Sequence, residues 1–318
     1  MIETWMQALP HGITLSCRAA GQRGRPVLLF LHGFPEAAFI WDELLTFFAQ
    51  AENGGYRCIA PNMRGFEASS APEEVKDYRA KFLVQDILAL IDSECGATHP
   101  LAALVAHDWG GAVAWNLTNQ RPDRVSRLVI INSPHPGTFL RELQINPAQQ
   151  AASAYMNELI QDNAEAVYAA NNFEKLLAVL SASHTHPADD AKTAAAQTPW
   201  LTAQVQQDYR QLWQHGLRGG LNYYRASPLR PPRPGEPAAA AVTLPIEALR
   251  IDRPTLVIWG QQDHALLPCL TEGLEDYITD LTLVPLPQAS HWVVHEEPQR
   301  VVQEISAFLA RGSADCTK

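Results

Sequence analysis

Basic residues are scarce. Lys and Arg number 24 against 34 Asp and Glu, a formal net charge of -10, and no run of Lys or Arg breaks that balance. Nucleic acid and anionic membrane surfaces both need a basic face, so neither is expected as a partner. Cysteine is sparse too. Cys17, Cys58, Cys95, Cys269 and Cys316 are odd in number and lack CxxC spacing, which excludes a disulfide framework or a zinc site as the organising device. Reduced thiols fit a cytoplasmic location. No apolar run approaches the roughly 20 residues of a membrane helix. The opening Met1-Ile2-Glu3-Thr4-Trp5 lacks the basic and apolar regions of a signal peptide. No GxGxxG, GxxxxGK[ST] or HExxH stretch occurs, so neither a nucleotide cofactor nor a helical metal site is implied. His184, His186, Asp189 and Asp190 lie close in sequence without a helical ligand pair and are expected in a polar loop.

What is present is an ordinary globular composition, 47% hydrophobic and 18% charged over 318 residues. That length suits one large domain or a domain carrying an insertion. Residues 1–24 predict two turn-linked strands, with Pro10-His11-Gly12 as the turn. A fully apolar strand is then expected at 26–31, and further strands at 56–60, 101–105, 125–131, 254–259 and 281–286. Such runs mark strands covered on both faces by helices. Helices are expected at 41–51, 78–93, 112–121 and 301–309. From about Pro136 to Pro245 no strand is convincing, and alanine-rich helical stretches appear at 148–161, 164–182, 200–213 and 217–226. The expected architecture is a mostly parallel, doubly wound α/β sheet (1–135 and 246–318) with an all-helical cap inserted at 136–245. The last residues, from Arg311, are expected to fray.

The centre of this pattern is Ala106-His107-Asp108-Trp109-Gly110-Gly111. An apolar strand precedes it and a helix follows, so Asp108 stands at a sharp strand-to-helix corner. Small residues two before it and two and three after it let the backbone crowd there. Asp108 is therefore either a helix N-cap or a nucleophile raised above the sheet. In open α/β sheets ligands sit beyond the carboxyl ends of strands. Phe34, Asp263 and His291 also fall at such ends, and Asp108, Asp263, His291 follow the nucleophile–acid–histidine order of α/β-hydrolases. Singly, Asp263 reads equally as a solvated loop acid and His291 as a surface histidine. His295 competes for the base role, and His107 is expected to point away from the pocket.

The motifs HGFP (32–35), NMRGFEASSAP (62–72), HDWGGAVAW (107–115), NSPHP (132–136), WGQQD (259–263) and SHW (290–292) span nearly the whole core. In them the chain resembles the α/β-hydrolase superfamily, and within it the epoxide hydrolases with an aspartate nucleophile. Ala106 departs from the glycine usual in that family but remains small. The resemblance implies an α/β-hydrolase fold and no cofactor or metal. It implies Asp108 as nucleophile, His291 oriented by Asp263 as base, and the backbone N–H groups of Phe34 and Trp109 as an oxyanion hole. It also implies two ring-protonating tyrosines. Leu221-Asn222-Tyr223-Tyr224-Arg225 matches the family's cap segment and assigns Tyr224; Tyr155 is the candidate for the second, with Tyr168 as the fallback. Phe34, Trp109, His135, Tyr155 and Tyr224 are the expected substrate-binding residues.

An aspartate attacking a saturated carbon forms an alkyl ester that water can hydrolyse, so the leaving group is an epoxide oxygen or a halide. The expected substrate is a small apolar epoxide with water as co-substrate, and the expected assembly a monomer or homodimer. Two alternatives stay open. A haloalkane or haloacetate dehalogenase uses the same nucleophile, although Phe34 stands where an asparagine halide donor is usual and Trp109 where haloacetate enzymes carry arginine. A non-catalytic binding protein on the same fold is the other, since fold alone does not prove function.

Overall fold

The computed structural model describes residues 1–181 and 198–311. His184, His186, Asp189, Asp190 and Cys316 lie outside the described residues, as does the tail beyond Arg311. Eight strands form one sheet: β1 (Glu3–Ala8), β2 (Thr14–Ala20), β3 (Val27–Leu31), β4 (Arg57–Pro61), β5 (Ala103–His107), β6 (Leu128–Ile131), β7 (Thr255–Gly260) and β8 (Leu281–Leu286). Their order is β1-β2-β4-β3-β5-β6-β7-β8. β1 and β2 pair antiparallel and β2 joins β4 antiparallel; every other pairing is parallel. Every residue of β3 to β7 is buried, as the unbroken apolar runs require of strands covered on both faces.

The helices that cover them are α1 (Asp42–Phe48), α2 (Ala80–Cys95), α3 (Trp109–Gln120) and α11 (Pro298–Ala310). Along β3, Leu29 and Leu31 join the core built with Leu83, Ile87 and Ile91 of α2 and Val113 and Leu117 of α3. Leu28 and Phe30 point the other way, into the core built with Leu44, Leu45 and Phe48 of α1 and Ile305 and Phe308 of α11. Alternate residues of one strand thus feed two hydrophobic layers, which is the doubly wound arrangement.

Between β6 and β7 the chain is helical: α4 (Pro136–Ile145), α5 (Pro147–Ala152), α6 (Tyr155–Leu159), α7 (Ala164–Ser181), α8 (Ala203–Gln214) and α9 (Arg218–Ala226). A short α10 (Val293–Glu296) precedes α11. Three details depart from the sequence expectation. α4 was not anticipated; Pro136 supplies its first residue and the His135 ring caps it. The stretch 148–161 divides because Ser153 closes α5. α7 breaks at Asn171, Asn172 and Phe173, all at positive φ, where asparagine is the residue best suited after glycine.

The inserted helices seat directly on the core. Trp213 Nε1 donates to Pro35 O at 2.7 Å, and Tyr223 OH to Arg64 O at 3.0 Å. Gly219 of α9 lies against Gly65 so closely that a Cβ on either would strike the other's backbone. Among the described residues no helix is long and apolar enough to cross a membrane.

Candidate active site

Asp108 stands between β5 and α3 with φ 49° and ψ -122°. This is a costly conformation for a residue with a Cβ, worth about 1–3 kcal/mol of strain. Its neighbours permit the corner: a Cβ at Gly110 would run into the carbonyl of Leu31. The Asp108 side chain makes no capping hydrogen bond to α3, which disposes of the helix-cap reading. Instead the Phe34 N–H donates to Asp108 Oδ1 at 2.8 Å. Ser133 Oγ donates to the Asp108 carbonyl at 2.6 Å and braces the turn. Trp109 opens α3, so the positive end of that helix also lies beside the carboxylate.

His291 faces Asp108. Its Nδ1 is 2.7 Å from Asp263 Oδ2 and its Nε2 is 3.8 Å from Asp108 Oδ2. Asp263 is a buried acid with its oxygens fully used. Asn132 Nδ2 donates to Oδ2 at 2.8 Å, and the backbone N–H groups of Ala265 and Leu266 donate to Oδ1 at 2.9 and 2.8 Å. Burial pushes the Asp263 pKa up, but the neighbouring His291 and these donors prevail and hold it below the usual carboxylate range. Burial likewise favours neutral His291, yet the charges of Asp263 and Asp108 outweigh it and raise the imidazole to about 9.

The rival histidines are occupied elsewhere. His107 Nε2 donates to the His291 carbonyl, 2.9 Å away, so its ring points out of the pocket. His295 Nε2 meets Glu36 Oε1 at 2.7 Å, and its ring stacks on Trp200 at 4.2 Å between centroids. Tyr209 OH, from α8, donates to the same Glu36 oxygen at 2.7 Å. Buried Glu36 is held well below the usual range: burial opposes ionisation, but His295 and His107 overcome it.

His135 is not in the pocket, contrary to expectation. It is buried, its Nδ1 accepts from Gly137 N–H at 3.2 Å, and its Nε2 donates to the Leu249 carbonyl at 2.8 Å. Its ring stacks on Tyr277 at 4.6 Å. Both nitrogens are spent on backbone, and burial lowers its pKa to about 4. The prolines on either side, Pro134 and Pro136, line the cavity instead.

The tyrosines do gather at Asp108. Tyr155 and Tyr224 border the same cavities as the carboxylate, with ring centroids 6.2 Å apart. Burial keeps both phenols protonated far above neutral pH, helped at Tyr155 by the charge of Asp108 and at Tyr224 by Tyr155 and then Asp108. Tyr224 packs edge-on against Trp109 at 5.0 Å and Phe34 at 5.6 Å. The neighbouring Tyr223 spends its hydroxyl on Arg64 O. Tyr168 lies further along one cavity, with Lys175 Nζ 4.4 Å from its ring centroid. Four supporting residues escaped the sequence reading: Asn132, Ser133, Glu36 and Tyr209. Asn132 and Ser133 lie within the NSPHP motif at a strand end, which was the available signal; Glu36 and Tyr209 are 173 positions apart and carry none.

A family model described as alpha/beta hydrolase fold matches residues 26–298. The chain belongs to the α/β-hydrolase fold family. This α/β-hydrolase is 32% identical over 302 residues to the AB hydrolase superfamily protein YfhM of Bacillus subtilis, covering 94% of this chain and 95% of that protein. It is 31% identical over 300 residues to human Epoxide hydrolase 4, covering 94% and 76% of the two chains. Among solved structures it resembles a Bacillus megaterium epoxide hydrolase in complex with an inhibitor, with a TM-score of 0.82, 29% identity, and coverage of 96% and 100%. Potato epoxide hydrolase I is similar at a TM-score of 0.78 and 26% identity, covering 98% and 100%. The α/β-hydrolase is thus an enzyme of the hydrolase class that resembles epoxide hydrolases in both sequence and fold.

Proposed function

We propose that this α/β-hydrolase converts an epoxide to a vicinal diol through a covalent ester on Asp108, with helices 136–245 serving as the cap. The observation that carries the reading is the position of Asp108. Its strained carboxylate lies between the Phe34 N–H and His291 and shares a cavity with two protonated phenols. A carboxylate nucleophile calls for a saturated carbon, and an epoxide oxygen needs an acid as it leaves.

In the first step Asp108 attacks one ring carbon, a new C–O bond forms, and the ring C–O bond breaks. The departing electron pair goes to the epoxide oxygen, which takes a proton from Tyr155 or Tyr224. In the same surroundings an alkoxide is a stronger base than a phenolate, so the proton passes from phenol to alkoxide. Alkylation removes the Asp108 charge that helps hold the proton on His291. The imidazole then gives its proton to the phenolate left by ring opening, which restores the phenol and leaves His291 neutral and able to act as a base. In the second step His291 takes a proton from water, and the hydroxide attacks the ester carbonyl. The Phe34 N–H already reaches one carboxylate oxygen and would carry the developing oxyanion; the Trp109 N–H is the intended second donor. Collapse returns the Asp108 carboxylate. One proton of the consumed water goes to the ester oxygen as it leaves and the other stays on His291, restoring the resting imidazolium, so epoxide and water give diol.

Incubation with styrene oxide, and separately with 1-bromobutane, tests the reading. Diol without halide is expected. Halide release without diol would establish dehalogenation instead, and neither product would leave a binding protein.

A further inference from the structure

Two cavities meet at the candidate nucleophile. The first, of about 250 Å³, runs between Trp109, Val113 and Asn116 of α3 and Phe139, Leu229, Val242 and Leu244. The second, of about 270 Å³, runs between Leu159 of α6, Leu176 and Val179 of α7, and Trp292. Among the described residues, Asp108, Tyr155 and Tyr224 alone line both. The reacting groups therefore form a waist, with an arm on either side. Both arms reach the surface: Ala80 and Pro228 are exposed at the first, Val179 and His264 at the second.

From this we infer that the substrate is an uncharged 1,2-disubstituted epoxide, its ring at the waist and one apolar substituent in each arm. The inference rests on the epoxide-hydrolase reading and narrows it. An apolar cavity of about 150 Å³ already takes up benzene, so each arm holds a group of at least that size. A substrate with one substituent fills one arm and leaves the other to water, forgoing half of the apolar burial available. Charge is disfavoured by the lining. Among the described residues lining the arms none is Lys or Arg, while Asp108 and Asp263 both contribute negative charge. A carboxylate in either arm would face those acids, and the His291 cation beside the second arm is already shared between Asp108 and Asp263.

The test compares three epoxides on the full chain by kcat/KM: trans-stilbene oxide, with a ring on each carbon; styrene oxide, with one; and trans-3-phenylglycidate, in which a carboxylate replaces one ring. The expected order puts trans-stilbene oxide about tenfold or more above styrene oxide, with phenylglycidate lowest. Two variants address the arms separately: Leu244→Trp narrows the first and Val179→Trp, at an exposed rim, the second. Each is expected to lower the ratio of trans-stilbene oxide to styrene oxide turnover by about tenfold. The ratio is internal to each variant, so a partly folded preparation does not mimic the effect. Styrene oxide preferred over trans-stilbene oxide, or a ratio unmoved in both variants, would overturn the two-arm assignment while leaving epoxide hydrolysis standing. Phenylglycidate turned over as well as trans-stilbene oxide would overturn the exclusion of charge. Hydrolysis of none of the three would overturn the function itself.

Discussion

His291 Nε2 stands 3.8 Å from Asp108 Oδ2, beyond hydrogen-bond reach yet near enough for each charge to stabilise the other. With Asp263 on its far side, the imidazole is raised to about 9 despite its burial. At neutral pH the resting enzyme thus holds His291 as a cation between two carboxylates. Replacing Asp108 by Asn removes one of them, and the His291 pKa is expected to fall. An NMR titration of the imidazole nitrogens in both proteins measures this directly; an unchanged value would show that Asp108 does not hold the proton. The raised pKa also has a stability consequence of definite sign. The contribution is complete below the ordinary histidine value of 6.5 and is lost as pH rises through about 9. Urea unfolding between those limits should show stability falling with pH, and less steeply in Asp108→Asn.

The covalent step predicts two different failures. Asp108→Ala should lower diol formation by about 10⁴-fold or more, since no other group is placed to attack. His291→Gln should leave alkylation intact and stall the second step. Mass spectrometry of that variant after exposure to styrene oxide should find the epoxide mass added to the peptide carrying Asp108. An unmodified peptide would argue for direct attack by water. Asp108→Asn is unsuited to the activity test, because a neighbouring base can regenerate the acid.

Two phenols at one waist should back each other up. Tyr155→Phe and Tyr224→Phe are each expected to slow ring opening by roughly tenfold, and the double variant by the 10²–10⁴-fold usual for loss of a general acid. Single-turnover formation of the Asp108 ester separates this from the hydrolytic step. A double variant as fast as either single one would remove the tyrosines from the acid role.

For His135 the expected loss is one of stability. Its two nitrogens bind Gly137 N–H and the Leu249 carbonyl in a buried site. His135→Ala leaves both backbone groups unsatisfied, at about 1–3 kcal/mol, so thermal unfolding should drop by a few degrees while kcat/KM stays at the wild-type value. A variant with normal stability and a raised KM would return His135 to the pocket.

Local patterns carried most of what the sequence made legible. Continuous apolar runs announced β3 to β7, and the crowding of Ala106, Gly110 and Gly111 announced the corner at Asp108. The strand-end positions of Asp263 and His291 follow from the same alternation. What stayed hidden depends on partners far away in the chain. His135 stood at a strand end beside plausible site residues, and only Leu249 and Tyr277 reveal that its ring is spent. Nothing near Glu36 announces Tyr209, and nothing near His295 announces Glu36. The twelve-residue α3 was legible in type but not in start, because Trp109 begins the helix only once Asp108 has taken its strained turn.

The seam between the inserted helices and the sheet ends where the chemistry begins. Trp213 is tied to the carbonyl of Pro35 and Tyr209 to the carboxylate of Glu36. These are the two residues that follow Phe34, whose N–H grips Asp108. The upper storey of the molecule is thus anchored in the hinge plate of its own lock. On the proposed mechanism, substitutions across α8 would reach the loop that presents the Phe34 N–H without lining either cavity beside Asp108, so the rate of ester breakdown should shift with residues that never meet the substrate.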